Sequence, residues 1–193
     1  DSKWRNLRWT LNQDKPFSNL INRYQWHRYP KFAHVAEFPL HVDIESTSDC
    51  NMNCPMCYRS QLPEGSITYI DFEKYKTLVD ECAAYGLYSL RLSWRGEPLL
   101  HPNIVDMVRY AKEKGIPNVS FLTNGLLLKG RMAEDLIDAG LSYLSISFDG
   151  VYEVYDRIRK PSKFSEAYAR LREFRELKKK KGDSVKREDM IGT

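Results

Sequence analysis

The sequence predicts an α/β fold built on a parallel sheet. Two observations carry this reading. From residue 40 onward, short alternating apolar runs take turns with longer stretches whose apolar residues recur at helical spacing. The helical stretches stop at glycines, namely Gly86, Gly115 and Gly140. Such alternation joins parallel strands through right-handed crossovers.

The elements follow in chain order. Residues 40–46 read as strand one. Phe72, Tyr75, Leu78, Val79 and Cys82 form one helical face, on which Cys82 is expected to pack in the core rather than ligate. Tyr88, Leu90, Leu92 and Trp94 alternate as strand two. Asn103 is a favourable N-cap for a helix carrying Ile104, Val108 and Ala111. Residues 119–122 give strand three, and Met132, Leu136 and Ile137 the next helical face. Leu144, Ile146 and Phe148 alternate as strand four. One long helix then places Phe164, Tyr168, Leu171, Phe174 and Leu177 on one side. It ends in the lysine run 178–181, where cations oppose the helix dipole and a solvated face is expected.

Three segments result: an aromatic and basic extension over 1–38, a core over 39–181 and a polar tail over 182–193. In the extension Trp4, Arg5, Arg8 and Trp9, then Tyr24, Trp26, His27, Arg28 and Tyr29, interleave aromatic and basic groups. That pattern can stack on single-stranded nucleic acid. With a formal net charge of only +4, packing of these aromatics on the main domain is the favoured expectation, and no nucleic-acid partner is expected. At 193 residues the chain is long enough for one domain with a real core. No apolar run reaches membrane-spanning length, and the polar start does not read as a signal peptide, so no membrane association is expected. Four cysteines grouped three plus one read as a metal site in a reducing, cytoplasmic setting rather than a disulfide framework.

The three cysteines, Cys50, Cys54 and Cys57, stand in a CxxxCxxC spacing directly after strand one. Three thiolates on one loop can each hold one metal atom of a small cluster. A [4Fe–4S] cluster held in this way keeps one iron open to a substrate or cofactor. A zinc knuckle would need a fourth ligand, and no cysteine or histidine sits at finger spacing. A redox pair of Cys54 and Cys57 would leave Cys50 idle. Further groups follow the later strands: Arg95, Gly96, Glu97 and Pro98 after strand two, Thr123, Asn124 and Gly125 after strand three, and Ser147, Phe148, Asp149 and Gly150 after strand four. In a parallel sheet the carboxyl ends of the strands share one edge, where ligands bind, so these groups converge in space.

Taken together and in this order, the motifs resemble those of the radical S-adenosylmethionine (radical SAM) superfamily, over about residues 42–159. The resemblance implies a partial (β/α)6 TIM-like barrel, of which this chain supplies about four βα units. It implies Cys50, Cys54 and Cys57 as ligands of a [4Fe–4S] cluster, with S-adenosyl-L-methionine as the second cofactor. By the same resemblance Met56 lies against the adenine and Tyr58 shields the cluster. Gly96, Glu97 and Pro98 hold the methionine amino group, where Arg95 replaces the more usual first glycine. Thr123 and Asn124 line the cofactor site. Ser147 and Arg159 contact the cofactor carboxylate, and Asp149 lies near the ribose or substrate. Arg159 equally reads as one more basic residue beside Arg157 and Lys160, and Arg95 as a surface charge.

The function implied is that of an oxidoreductase- or transferase-type enzyme. An electron from a flavodoxin- or ferredoxin-like donor cleaves S-adenosylmethionine to methionine and a 5′-deoxyadenosyl radical. The radical takes hydrogen from a peptide, small-molecule or sugar substrate. The run Tyr155, Asp156, Arg157, Ile158, Arg159 followed by a basic helix resembles members that carry a C-terminal SPASM or twitch extension. A different class remains open at this point, a non-catalytic zinc-binding adaptor for nucleic acid or protein.

Overall fold

A computed structural model describes residues 16–181 of the chain, apart from Leu62, Glu64 and Gly65. Four parallel strands form one sheet: β1 (His41–Asp43), β2 (Ser89–Arg91), β3 (Asn118–Thr123) and β4 (Tyr143–Ile146), in the order β1-β2-β3-β4. Helix α1 (Pro16–Arg28) precedes the sheet. Helices α2 (Phe72–Ala84), α3 (Ile104–Glu113) and α4 (Gly130–Asp138) are the crossovers, and α5 (Tyr152–Ile158) and α6 (Phe164–Lys180) follow β4. The α/β class and parallel sheet read from the sequence are those of the molecule.

Pairing Val42 with Leu90, and Leu90 with Val119, puts their side chains on the face that meets the helices. Leu90, Leu92, Val119 and Phe121 are fully buried there against Tyr75 and Val79 of α2, Met107 and Val108 of α3 and Leu136 of α4. Each such side chain withdrawn from water contributes about 1.5–3 kcal/mol. The opposite face is polar. His41 Nδ1 and Asn118 Nδ2 meet Ser89 Oγ at 2.8 and 3.1 Å, and Arg91 donates to Asp43 at 2.6 Å.

Several elements differ from the sequence expectation. Strand one, expected over 40–46, keeps its ladder only to Asp43. Beyond Ile44 the chain is held by side chains and a turn: Ser46 Oγ donates to the Leu92 carbonyl, and Thr47 bridges Tyr69 antiparallel. Strand two ends at Arg91, and Trp94, beyond it, turns outward. Strand four ends before Phe148, which joins an aromatic cluster with Tyr155 and Phe164. The long helix expected to carry Phe164 to Leu177 is α6, whereas the short α5 before it has no counterpart in the sequence reading; Pro161 separates the two, and Asp156 Oδ1 accepts from the Phe164 N–H at the start of α6. On α2, Leu78 faces solvent while Tyr75, Val79 and Cys82 are buried. Asn103 occupies the N-cap of α3 without a side-chain bond; His101 Nδ1 accepts from its N–H instead.

Trp4, Arg5, Arg8 and Trp9 lie outside the described residues. Tyr24 of α1 is largely exposed, contrary to the expected packing on the main domain, whereas Trp26, though half exposed, meets the His41 ring of β1 edge to face. Arg28 lies over the rings of Tyr24 and Phe32, so these aromatics are served by a neighbouring cation. The helix is tied down by Asn22, which donates to the Leu40 carbonyl at 3.2 Å. Among the described residues no helix is long and apolar enough to cross a membrane.

Candidate active site

The loop after β1 is shaped by Asp49. Its carboxylate accepts from Tyr69 Oη at 2.7 Å, from the Cys50 N–H at 2.8 Å and from Arg59 at 3.0 Å. The Tyr69 hydrogen bond, supported by Cys50 and Arg59, holds this carboxyl below its ordinary range against the cost of burial. Asp49 thus presents Cys50 at the carboxyl edge of the sheet. The Cys57 N–H bonds the Cys54 carbonyl at 3.0 Å, and the Asn53 N–H bonds the Lys160 carbonyl at 2.8 Å. That second bond ties the cysteine loop to the turn after α5.

The turn after β2 packs directly against this loop. A Cβ on Gly96 would collide with the carbonyl of Thr47 and stand 2.7 Å from that of Asp49. Its lack of a side chain therefore serves the approach of the chain to itself. The Glu97 N–H donates to the Asp49 carbonyl at 2.6 Å. The Glu97 carboxylate is only 2% exposed and accepts three hydrogen bonds: from Thr123 Oγ1 at 2.6 Å, the Asn124 N–H at 2.7 Å and the Leu99 N–H at 3.1 Å. Burial pushes its carboxyl upward against these donors. Pro98 is buried at the start of the 3₁₀ turn Pro98–Leu100 that Glu97 caps.

Asn124, so anchored, turns its amide to the cysteine loop. Nδ2 donates to Asn51 Oδ1 at 2.7 Å and lies 3.8 Å from Cys50 Sγ. From the far side Arg159, ion-paired with Asp149, brings Nη1 to 3.9 Å from Cys54 Sγ. Burial raises the Cys50 and Cys54 thiols above their ordinary range, opposed at Cys54 chiefly by Arg159.

These groups surround one open pocket of about 270 Å³. Cys50, Cys54 and Cys57 line it, with Met56, Gly96 and Glu97, then Thr123, Asn124, Ser147 and Arg159. Tyr58, Pro98 and Asp149 are not on its wall; Tyr58 lines an adjoining hollow. Met52, Asn53, Arg59, Ser93, Trp94, Arg95 and Leu122 also line the pocket and were not singled out as cofactor contacts by motif. For Ser93 a signal existed, since it alternates with buried Leu92; its hydroxyl accepts from the Leu122 N–H at 3.0 Å where the ladder has ended. Arg95 is held by Glu45, which accepts from its Nε and Nη2 at 3.2 and 3.0 Å.

The donor set can be tested against the metal groups considered. None of the three cysteines is in a disulfide, and they share one pocket wall. Among the described residues no three Cys, His, Asp or Glu side chains converge on a point that would hold a single ion. Tetrahedral zinc requires four donors about 2.0–2.3 Å from one centre. A cluster takes one thiolate per metal atom, so its ligands stand apart around it. The residues fit the cluster and give the zinc adaptor no support.

The family model of the radical SAM superfamily matches residues 44–187, well over half of the chain. The chain belongs to the radical SAM superfamily. Its cofactors are accordingly the superfamily's, a [4Fe–4S] cluster and S-adenosylmethionine, and its relatives are enzymes. Fe-coproporphyrin III synthase of Methanosarcina barkeri is 34% identical over 58% of this chain and 28% of its own length. PqqA peptide cyclase of Bradyrhizobium diazoefficiens is 31% identical over 65% of this chain and 33% of its own. The radical SAM fold is shared with Streptococcus suis SuiB, solved with its precursor peptide SuiA, at TM-score 0.64 and 18% identity over 84% of this chain and 36% of that one. The chain spans about a third of the length of the curated relatives it matches. Within this superfamily the open four-stranded sheet is part of a TIM-like barrel.

Proposed function

We propose that this chain is the cluster- and cofactor-binding part of a radical enzyme acting on a peptide or a small-molecule substrate such as a sugar. The observation that carries the reading is the gathering of three cysteines, none in a disulfide, with the ends of β2, β3 and β4 around one pocket. When bound, a [4Fe–4S] cluster supplies the electron that splits S-adenosylmethionine to methionine and a 5′-deoxyadenosyl radical able to take hydrogen from substrate.

The chain's own residues then have separable tasks. Cys50, Cys54 and Cys57 hold the metal. Asn124 and Arg159 place N–H groups beside two of the sulfurs, and Asp149 fixes the Arg159 guanidinium. Met56, Gly96, Thr123 and Ser147 offer the pocket wall against which S-adenosylmethionine lies. Glu97 acts mainly as the clamp that joins Asp49, Thr123 and Asn124, since its carboxylate already has three donors. Tyr58 and Pro98 contribute from outside the pocket wall.

Electron delivery falls to a flavodoxin- or ferredoxin-like donor in a reducing, cytoplasmic setting, consistent with four cysteines outside any disulfide. The peptide alternative draws support from the named activity of the PqqA peptide cyclase relative, as does placement near the SPASM-type members. The test is anaerobic reconstitution of the chain with iron, sulfide and a strong reductant, followed by S-adenosylmethionine. Four irons per chain and release of 5′-deoxyadenosine are expected. One tightly bound zinc and no 5′-deoxyadenosine would overturn the reading.

A further inference from the structure

A second hollow of about 430 Å³ adjoins the cysteine pocket and shares Ser93, Trp94, Arg95 and Leu122 with it. Tyr58 and Arg91 complete its wall. Its apolar surface is open to solvent. Trp94 is 64% exposed, Tyr58 62% and Leu122 44%, all at the carboxyl edge of the sheet. Large apolar side chains left open beside a cofactor pocket mark a surface that a ligand covers.

The charges in the hollow narrow what that ligand is. Arg91 and Arg95 alternate with Ser93 on the polar face of the sheet, as Asp43 and Glu45 do on the neighbouring chain segment. Arg91 is paired with Asp43 at 2.6 Å, and Arg95 lies fork to fork on Glu45. Each guanidinium therefore lies on a carboxylate, which offsets its charge; Asp43 also meets His41 Nε2 at 2.7 Å, and Arg91 Nε is buried with no hydrogen-bond partner among the described residues. A phosphate-bearing ligand would need unpaired cations here and would have to displace a carboxylate from an arginine. An uncharged planar group needs only the indole, the phenol and the leucine, with Ser93 and the outer guanidinium N–H groups for a polar substituent.

We infer that this hollow seats an uncharged aromatic group of the substrate, such as a tyrosine-like side chain, against Trp94 and Tyr58 beside the cofactor pocket. The inference rests on the proposed function for its meaning and on the hollow's own lining for its chemistry. It favours a peptide over a nucleotide or sugar phosphate as substrate.

The test is saturation-transfer NMR on the full chain, reconstituted with iron and sulfide and supplied with S-adenosylmethionine, using N-acetyl-tyrosinamide as probe. Ring protons of the probe are expected to receive more saturation than its acetyl methyl. The ring signal should fall at least fivefold in Trp94→Ala and recover in Trp94→Phe. Tripolyphosphate should not displace the probe. Absence of ring saturation, a signal unchanged in Trp94→Ala, or displacement by tripolyphosphate would each overturn the inference. Iron and sulfide content and the saturation of S-adenosylmethionine itself are read on the same sample. Loss of those overturns the proposed function, whereas their retention without ring saturation overturns only the aromatic seat.

Discussion

Gly96 packs its bare Cα against the carbonyl of Thr47, and no Cβ fits between them. Both sides of this contact are backbone, so neither can swing away. The turn after β2 and the loop that bears Cys50 are thus in register only because residue 96 has no side chain. Gly96→Ala should cost about 3 kcal/mol, the upper range for overpacking. Urea unfolding of the reduced apo chain measures it, and an unchanged midpoint would show that the loop yields freely.

Glu97 makes a separate prediction. Glu97→Ala strands the donors of Thr123, Asn124 and Leu99, and should cost about 3 kcal/mol. Glu97→Gln keeps an acceptor and should cost less. Because burial raises this carboxyl, the folded state binds its proton more tightly than the unfolded state does. The resulting stability is complete below the ordinary carboxylate value of about 4.3 and is lost as pH climbs through the folded value. The stability advantage of wild type over Glu97→Gln should therefore be greatest in acid and shrink toward neutrality. A pH-independent difference would mean that Glu97 titrates alike in both states.

Arg159 lies 3.9 Å from Cys54 Sγ and Asn124 3.8 Å from Cys50 Sγ. N–H groups at sulfur stabilise the reduced, more negative form of a cluster. Arg159→Met should accordingly shift the reduction potential of the reconstituted protein to more negative values, read by an EPR-monitored redox titration. If the potential does not move, the guanidinium acts elsewhere in the pocket.

The cysteines divide cleanly. Alanine at Cys50, Cys54 or Cys57 should lower bound iron and sulfide severely with little effect on apo-chain stability at Cys57, which is only partly buried. Alanine at Cys82, buried among Tyr75, Val79 and Leu87, should leave iron content intact and cost about 1 kcal/mol as a lost small hydrophobe. Colorimetric iron and sulfide assays beside urea melts separate the two outcomes. Full iron loading of Cys54→Ala would contradict the ligand assignment.

Much of this was legible in the sequence because period and burial agree. Leu90 and Leu92 alternate and are buried, and Ile104, Val108 and Ala111 recur at helical spacing and are buried. Where the agreement breaks, the cause is local. Trp94 continues the alternation of strand two, but the ladder has ended and the chain turns it outward. Helix α5 has one fully buried residue, Tyr155, and no apolar stripe to announce it. The site motifs gave the cysteines and strand ends, whereas the work of Glu97 was hidden. Its three hydrogen bonds join residues up to 27 positions apart, and one-dimensional spacing carries no trace of such closure.

Strands β1 and β4 are the outer members of the sheet among the described residues, and each pairs on one side alone. In the helices that follow β4, the rings of Tyr152 and Tyr168 pack on Phe164 and keep their outer sides exposed. A free ladder margin beside exposed rings is adhesive: it invites zippering with any extended segment that comes within reach. Handled in isolation, this chain should self-associate through that border as concentration rises, and a graft that supplies a fifth parallel strand should cure the stickiness before it alters anything at the metal loop.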